Sequence, residues 1–141
     1  MLVSLLFVSR ATEAGLHDLE NILHQSRAYN AEHGITGALC YSKNIFMQVL
    51  EGSRTDVNHL YGRILQDQVH HEDVQLLHYS EITERSYSGW TMGRVDISRL
   101  NMSIVLKYSE RPEFNPYLTS GEMSMAMFRE LIATANIAGR G

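Results

Sequence analysis

Apolar residues run almost without a break from Leu2 to Val8, a density that predicts a strand covered on both faces rather than an alternating surface strand. After a polar interruption, Leu16, Leu19, Ile22, Leu23 and Ser26 recur at helical spacing as far as Asn30, and Gly34 supplies a stop. Thr36 to Tyr41 and Ile45 to Glu51 then read as two strands joined by the short polar loop Ser42-Lys43-Asn44, which makes a hairpin. Ser53 to Asp56 offer capping chemistry to a second helix, which carries Val57, Leu60, Tyr61, Ile64 and Leu65 on one face and closes near Asp67. Val74 to Tyr79 and Trp90 to Val95 read as further strands, separated by the polar stretch Thr83 to Gly89.

The order β-α-β-β-α-β-β is best accommodated by an α+β, ferredoxin-like fold: one mixed sheet with both helices on one face. The other face needs a cover of its own. Leu100 to Tyr108 reads as helical, Pro112 and Pro116 break the chain, and Met123, Met127, Phe128, Leu131 and Ile132 form a last apolar stripe. That tail is either a cap on the sheet or an interface. The expected division is a domain over 1–96 and a C-terminal helical extension over 97–141.

A length of 141 residues suits one domain with a real core. The net charge of −4 and the scattered Lys and Arg give no general attraction for nucleic acid or anionic lipid. The apolar start lacks a basic leading segment and is too short to span a bilayer, so a cytoplasmic location without membrane attachment is expected. Cys40 stands alone, which excludes an internal disulfide, and its apolar setting points to a small core residue. Seven histidines include no His-Glu-x-x-His pair, and no cysteine pair exists to build a thiolate site, so no metal is expected. P-loop, G-x-G-x-x-G and G-x-S-x-G signatures are absent as well, and no catalytic residues are assigned.

What remains is polar chemistry in apolar places. Gln48 lies inside Ile45-Phe46-Met47-Gln48-Val49-Leu50-Glu51 and shares a strand face with Phe46 and Leu50. Hiding its amide unpaired would cost about 1–3 kcal/mol per group, so it is either a satisfied core amide or a contact to a buried polar ligand. Asn30 falls four residues after Ser26 and seven after Leu23, toward the buried side of the first helix. Two amides converging in a slot between helices suit the edge of a flat heterocycle with carbonyl and imide groups; an internal Asn to Gln hydrogen bond is the alternative.

Six segments fit one known pattern: Phe7-Val8-Ser9-Arg10-Ala11, Asn30 followed by Gly34-Ile35-Thr36-Gly37, Phe46 through Gly52, Tyr61-Gly62-Arg63-Ile64, Asp67 with His70, and Trp90-Thr91-Met92. By these segments the chain resembles, over roughly residues 1–96, the BLUF family of blue-light sensors using FAD. The tail, with Leu106-Lys107-Tyr108-Ser109 and Asn115-Pro116, is similar to that of short members carrying two C-terminal helices. The resemblance implies a noncovalent FAD with its ring between the two long helices, Asn30 on the carbonyl and imide edge, and Gln48 reaching toward N5 and O4. It implies Arg63 and Asp67 on the ribityl and phosphate side, Ser9 and His70 among the cofactor contacts, and Trp90 and Met92 on the last strand in signalling. Output would pass to a downstream signalling protein, or through a homo-oligomer formed by the C-terminal helices, with no enzymatic step.

Two departures stand out. Val69 occupies a position where the family commonly has arginine, and Phe7 occupies the position of the family's tyrosine, the electron and proton donor. Without that hydroxyl the hydrogen bond and proton to Gln48 vanish while ring volume survives, so flavin binding is expected to persist and the red-shifting photocycle to be impaired. The alternatives are a light-insensitive flavin-binding scaffold or an acylphosphatase-like small hydrolase. For the hydrolase, Arg10 stands where an anion cradle would begin, but the following Ala-Thr-Glu-Ala is not glycine-rich.

Overall fold

The computed structural model describes residues 1–97 and 101–134. Strand β1 (Leu2–Ala11) pairs antiparallel with β3 (Ile45–Ser53) on one side and β4 (His71–Ile82) on the other. Strand β2 (Thr36–Ser42) joins β3 through the hairpin, and the short β5 (Gly93–Asp96) adds parallel to β2, giving a five-stranded mixed sheet in the order β4-β1-β3-β2-β5.

Both faces of the sheet are covered, which is why β1 reads as a continuous apolar run. Leu5 and Phe7 face one core with Phe46 and Leu50, where Leu23 of α2 (Leu19–His33) and Val57 of α3 (Arg54–Gln66) pack. Leu6, Val8, Cys40, Met47 and Val49 face the other, under Val105 of α4 (Met102–Tyr108) and Met127, Phe128 and Leu131 of α5 (Gly121–Thr134). The apolar stripe of the tail is therefore a cap on its own sheet. Met123, expected in that stripe, is 43% exposed. The α5 helix starts so close to the Leu77 carbonyl that a Cβ at Gly121 would overlap it.

Several boundaries differ from expectation for physical reasons. The first helix is divided: a short α1 (Glu13–His17), capped by Thr12 Oγ1 accepting from Gly15 N–H at 3.0 Å, ends at Asp18 before α2 begins. Gly15 is pressed against the His70 carbonyl, where a side chain would clash, and this fixes α1 apart from α2 and leaves Leu16 exposed. The predicted stops and starts at Gly34, in left-handed backbone with φ 63°, and at Ser53, whose Oγ accepts from Asp56 N–H at 3.1 Å, are where the chain bends. Trp90 and Met92 lie just before β5 rather than on it. Leu100, the expected start of the helical stretch to Tyr108, lies outside the described residues.

Candidate functional site

Between α2, α3 and the sheet lies a cavity of about 320 Å³. Leu39, Phe46 and Gln48 come from the sheet, Leu23 and Asn30 from α2, Leu60 and Ile64 from α3, and Met92 from the approach to β5. Apolar walls with a few converging polar groups are what a flat, partly polar ligand requires.

The two amides singled out by sequence both line this cavity, and they are not bonded to each other. Gln48 is half-buried, paired across the ladder with Phe7 of β1 and Leu39 of β2, and its Nε2 donates to Met92 Sδ at 3.5 Å, a weak acceptor. Asn30 is buried; its Nδ2 donates to the Thr91 carbonyl at 2.6 Å, while Oδ1 is buried with no partner. An orphaned acceptor of this kind costs about 1–3 kcal/mol, and a ligand bringing an N–H donor would relieve it.

Thr91 and Met92 are fixed from several directions. Arg27 Nε donates to the Met92 carbonyl at 3.1 Å, and Gly37 N–H donates to the Trp90 carbonyl at 3.0 Å. Met92 is buried toward the cavity, whereas the Trp90 ring stacks on Tyr87 at 5.5 Å in the core under α5. Trp90 and Met92, both expected on the last strand, thus stand on opposite sides of the sheet. Phe7 is fully buried against Tyr61, with ring centroids 5.6 Å apart, behind the cavity wall rather than on it.

A polar end of the cavity gathers Arg63, Asp67, His70 and His71. Arg63 is exposed with its guanidinium 4.7 Å from the centre of the Tyr29 ring. Asp67 Oδ2 accepts from His70 Nδ1 at 2.8 Å and Oδ1 accepts from His70 N–H at 3.2 Å. Burial pushes the Asp67 carboxyl up, but these bonds outweigh it and hold the pKa below the usual value. The Asp67 hydrogen bond raises the His70 pKa against the opposing effect of burial, and Asp18 adds to the rise. His71, one residue on, is buried, and burial lowers its pKa, with the neighbouring Asp67 opposing the shift.

Ser9 is not among the residues lining the cavity; its Oγ lies 2.9 Å from His71 Nδ1, and His71 does line it. His71, Tyr29 and Gln25 are among the wall residues that sequence reasoning missed. His71 is the first residue of β4, three ahead of the start expected at Val74, and pairs with Ala11, while His70 stays with Asp67. Among the described residues there is no group of three or more His, Cys, Asp or Glu side chains able to hold a metal, and no helix long and apolar enough to cross a membrane. Cys40 is buried, and burial pushes its thiol pKa up, away from nucleophilic use. The guanidinium of Arg10 sits 4.7 Å from the centre of the Tyr117 ring instead of opening an anion cradle.

A family model described as BLUF, sensors of blue-light using FAD, matches residues 2–93. The photoactivated adenylate cyclase subunit beta of Euglena gracilis is 39% identical over 93 residues, which is 64% of this chain and 11% of the relative. The chain thus spans about a tenth of the length of the curated relatives it matches. Among solved structures, BlsA in its photo-activated state superposes with a TM-score of 0.86 at 31% identity over 100% of this chain and 99% of that one. BlrB, a BLUF protein in its dark state, gives 0.76 at 28% identity over 94% and 95%.

Proposed function

The chain belongs to the BLUF family, the sensors of blue light using FAD, and from that premise we propose that its cavity receives the ring of a noncovalently held FAD. It is a flavin-binding blue-light sensor domain, a sensor module and not itself a catalyst. The observation that carries the assignment of residues is the buried, partnerless Asn30 Oδ1 on the cavity wall. It is placed to accept from an imide N–H, the group that the edge of the flavin ring presents beside its carbonyls. Gln48, half-buried in the same cavity and tied only loosely to Met92, serves the other polar edge toward N5 and O4.

Arg63 meets the phosphates, for which a guanidinium is well matched, while Asp67 and His70 border the ribityl side as one hydrogen-bonded pair. Ser9 contributes by orienting His71. With Val69 exposed where the family commonly carries arginine, Arg63 is the principal anchor for the anionic end.

When bound, FAD supplies blue-light absorption and a ring that, once excited, takes up an electron and a proton. Phe7, opposite Gln48 in the β1–β3 ladder, has no O–H. It therefore gives Gln48 neither a hydrogen bond nor a proton, so the amide keeps its arrangement in light and the red-shifting switch is disabled. The same residue favours a second reading, a flavin-binding scaffold that works without light. In either case output would pass to a partner protein, or to a second copy, by way of the Trp90–Met92 segment and helices α4 and α5. We read 1–96 as the sensing unit and the location as cytoplasmic.

Titration with FAD tests the assignment. The parent chain is expected to bind and turn yellow, and Asn30→Leu, which keeps the volume and deletes the acceptor, is expected to bind about tenfold or more weakly. A parent chain that stays colourless would sink the flavin site, and equal affinity in the variant would remove Asn30 from it.

A further inference from the structure

Glu51 ends the apolar run of β3 on the same strand face as Met47 and Val49, so its side chain points into the core under α5 rather than into the cavity. It is 2% exposed. A buried carboxylate is tolerated only where donors surround it. Ser86 N–H donates to Oε2 at 2.7 Å, Tyr87 N–H donates to Oε1 at 2.8 Å, and Thr36 Oγ1 donates to Oε1 at 3.3 Å. Arg85 closes this cluster from outside, donating to Thr36 Oγ1 at 3.0 Å and to the Glu51 carbonyl at 3.4 Å.

The segment so pinned then passes around the sheet. The Tyr87 ring lies edge-on to Phe128 of α5 at 5.8 Å and stacks on Trp90. Four and five residues beyond Tyr87, Thr91 accepts from Asn30 and Met92 accepts from Gln48 on the cavity side. One short stretch of chain therefore touches both amides of the cavity at its far end and the capping helix at its near end.

We propose that Glu51 is a positioning residue: by holding the Ser86 and Tyr87 peptides it sets Thr91 and Met92 against Asn30 and Gln48, and Tyr87 against Phe128, so that cavity and α5 are registered through one carboxylate. The spectral part of this rests on the cavity being the flavin site; the mechanical part does not. The role differs from that of Asn30 and Gln48, because Glu51 touches neither the cavity nor its contents.

The test compares the parent with Glu51→Gln, which keeps volume and one acceptor but turns an NH₂ toward a peptide N–H. Amide hydrogen exchange is read in the FAD-free protein, and the position of the flavin band is read after FAD loading. Exchange over residues 84–92 and in α5 is expected to rise about tenfold, the effect of one lost hydrogen bond, with α2 unchanged, and the flavin band is expected to move. A rise spread evenly through the chain, or none at 84–92, would overturn the proposal, as would an unmoved flavin band in a variant that binds FAD. Should Glu51→Gln not fold, Glu51→Asp, which keeps the charge but draws it back from the Ser86 and Tyr87 N–H groups, is read in the same way, and the same local rise or its absence decides. Failure of the parent to take up FAD would contradict the flavin reading while leaving the exchange comparison to judge Glu51.

Discussion

On the α5 side of the sheet, Leu6, Val8, Cys40, Met47 and Val49 meet Met127, Phe128 and Leu131, all of them at most 1% exposed. On the α2–α3 side the same strands present Phe7, Leu39, Phe46 and Leu50, but the layer above is incomplete: a cavity of about 320 Å³ remains, and an Asn30 oxygen is buried without a partner. The strands do not differ in kind, since each alternates its residues between the two faces. What differs is the covering layer. Where the chain supplies a full apolar stripe the core is closed, and where it supplies amides at the bottom of a slot a ligand is needed to finish the packing and the hydrogen bonds.

The largest effect should come from opening the closed side. Phe128→Ala is expected to lower unfolding free energy by about 3–5 kcal/mol in denaturant titrations of the FAD-free protein, because it empties a fully packed site. The open side should respond differently to a change of similar burial. Asn30→Leu removes the orphaned acceptor but also the bond to Thr91, so FAD-free stability should stay within about 1 kcal/mol of the parent. A loss as great as that of Phe128→Ala would erase the contrast between the faces.

The smallest effects lie at the polar rim, where the two adjacent histidines should respond to pH with opposite sign. The raised pKa of His70 makes the folded state hold its proton more tightly than the unfolded chain. Its contribution is fully present below about pH 6.5 and is lost as pH rises through the folded value. Asp67 complements it, its lowered pKa giving stability that is lost as pH falls through the folded carboxyl value. His71 has a lowered pKa, so the unfolded chain takes up a proton that the fold refuses, and stability falls as pH drops from about 6.5 toward the folded value. Relative to the parent, His70→Gln should therefore lose stability on acidification from pH 8 to about 5.5, and His71→Gln should gain it. Thermal unfolding across that range checks both, and variants moving in the same direction would show that the two rings do not occupy the different environments described.

The element order was largely legible, because strand runs, helical spacing, Gly34 and Ser53 are local signals. So were the two cavity amides, since Asn30 and Gln48 are polar residues at positions where periodicity demands apolar ones. Three features were not. The division at Asp18 depends on Gly15 meeting His70, a contact between segments far apart in sequence. The opposite placement of Trp90 and Met92 depends on the stretch before β5 rounding the sheet, whereas the sequence placed both on the last strand. Glu51 read as the polar end of a strand, and only the docking of α5 and the peptides of Ser86 and Tyr87 turn it into a buried carboxylate.

The most direct test of a flavin site whose switch is disabled by Phe7 is the visible absorption of the FAD-loaded protein in the dark and under blue light, for the parent and for Phe7→Tyr. The expected result is flavin bands that stay in place in the parent and shift reversibly to the red in Phe7→Tyr. A reversible red shift in the parent, or a chain that takes up no flavin at all, would contradict it.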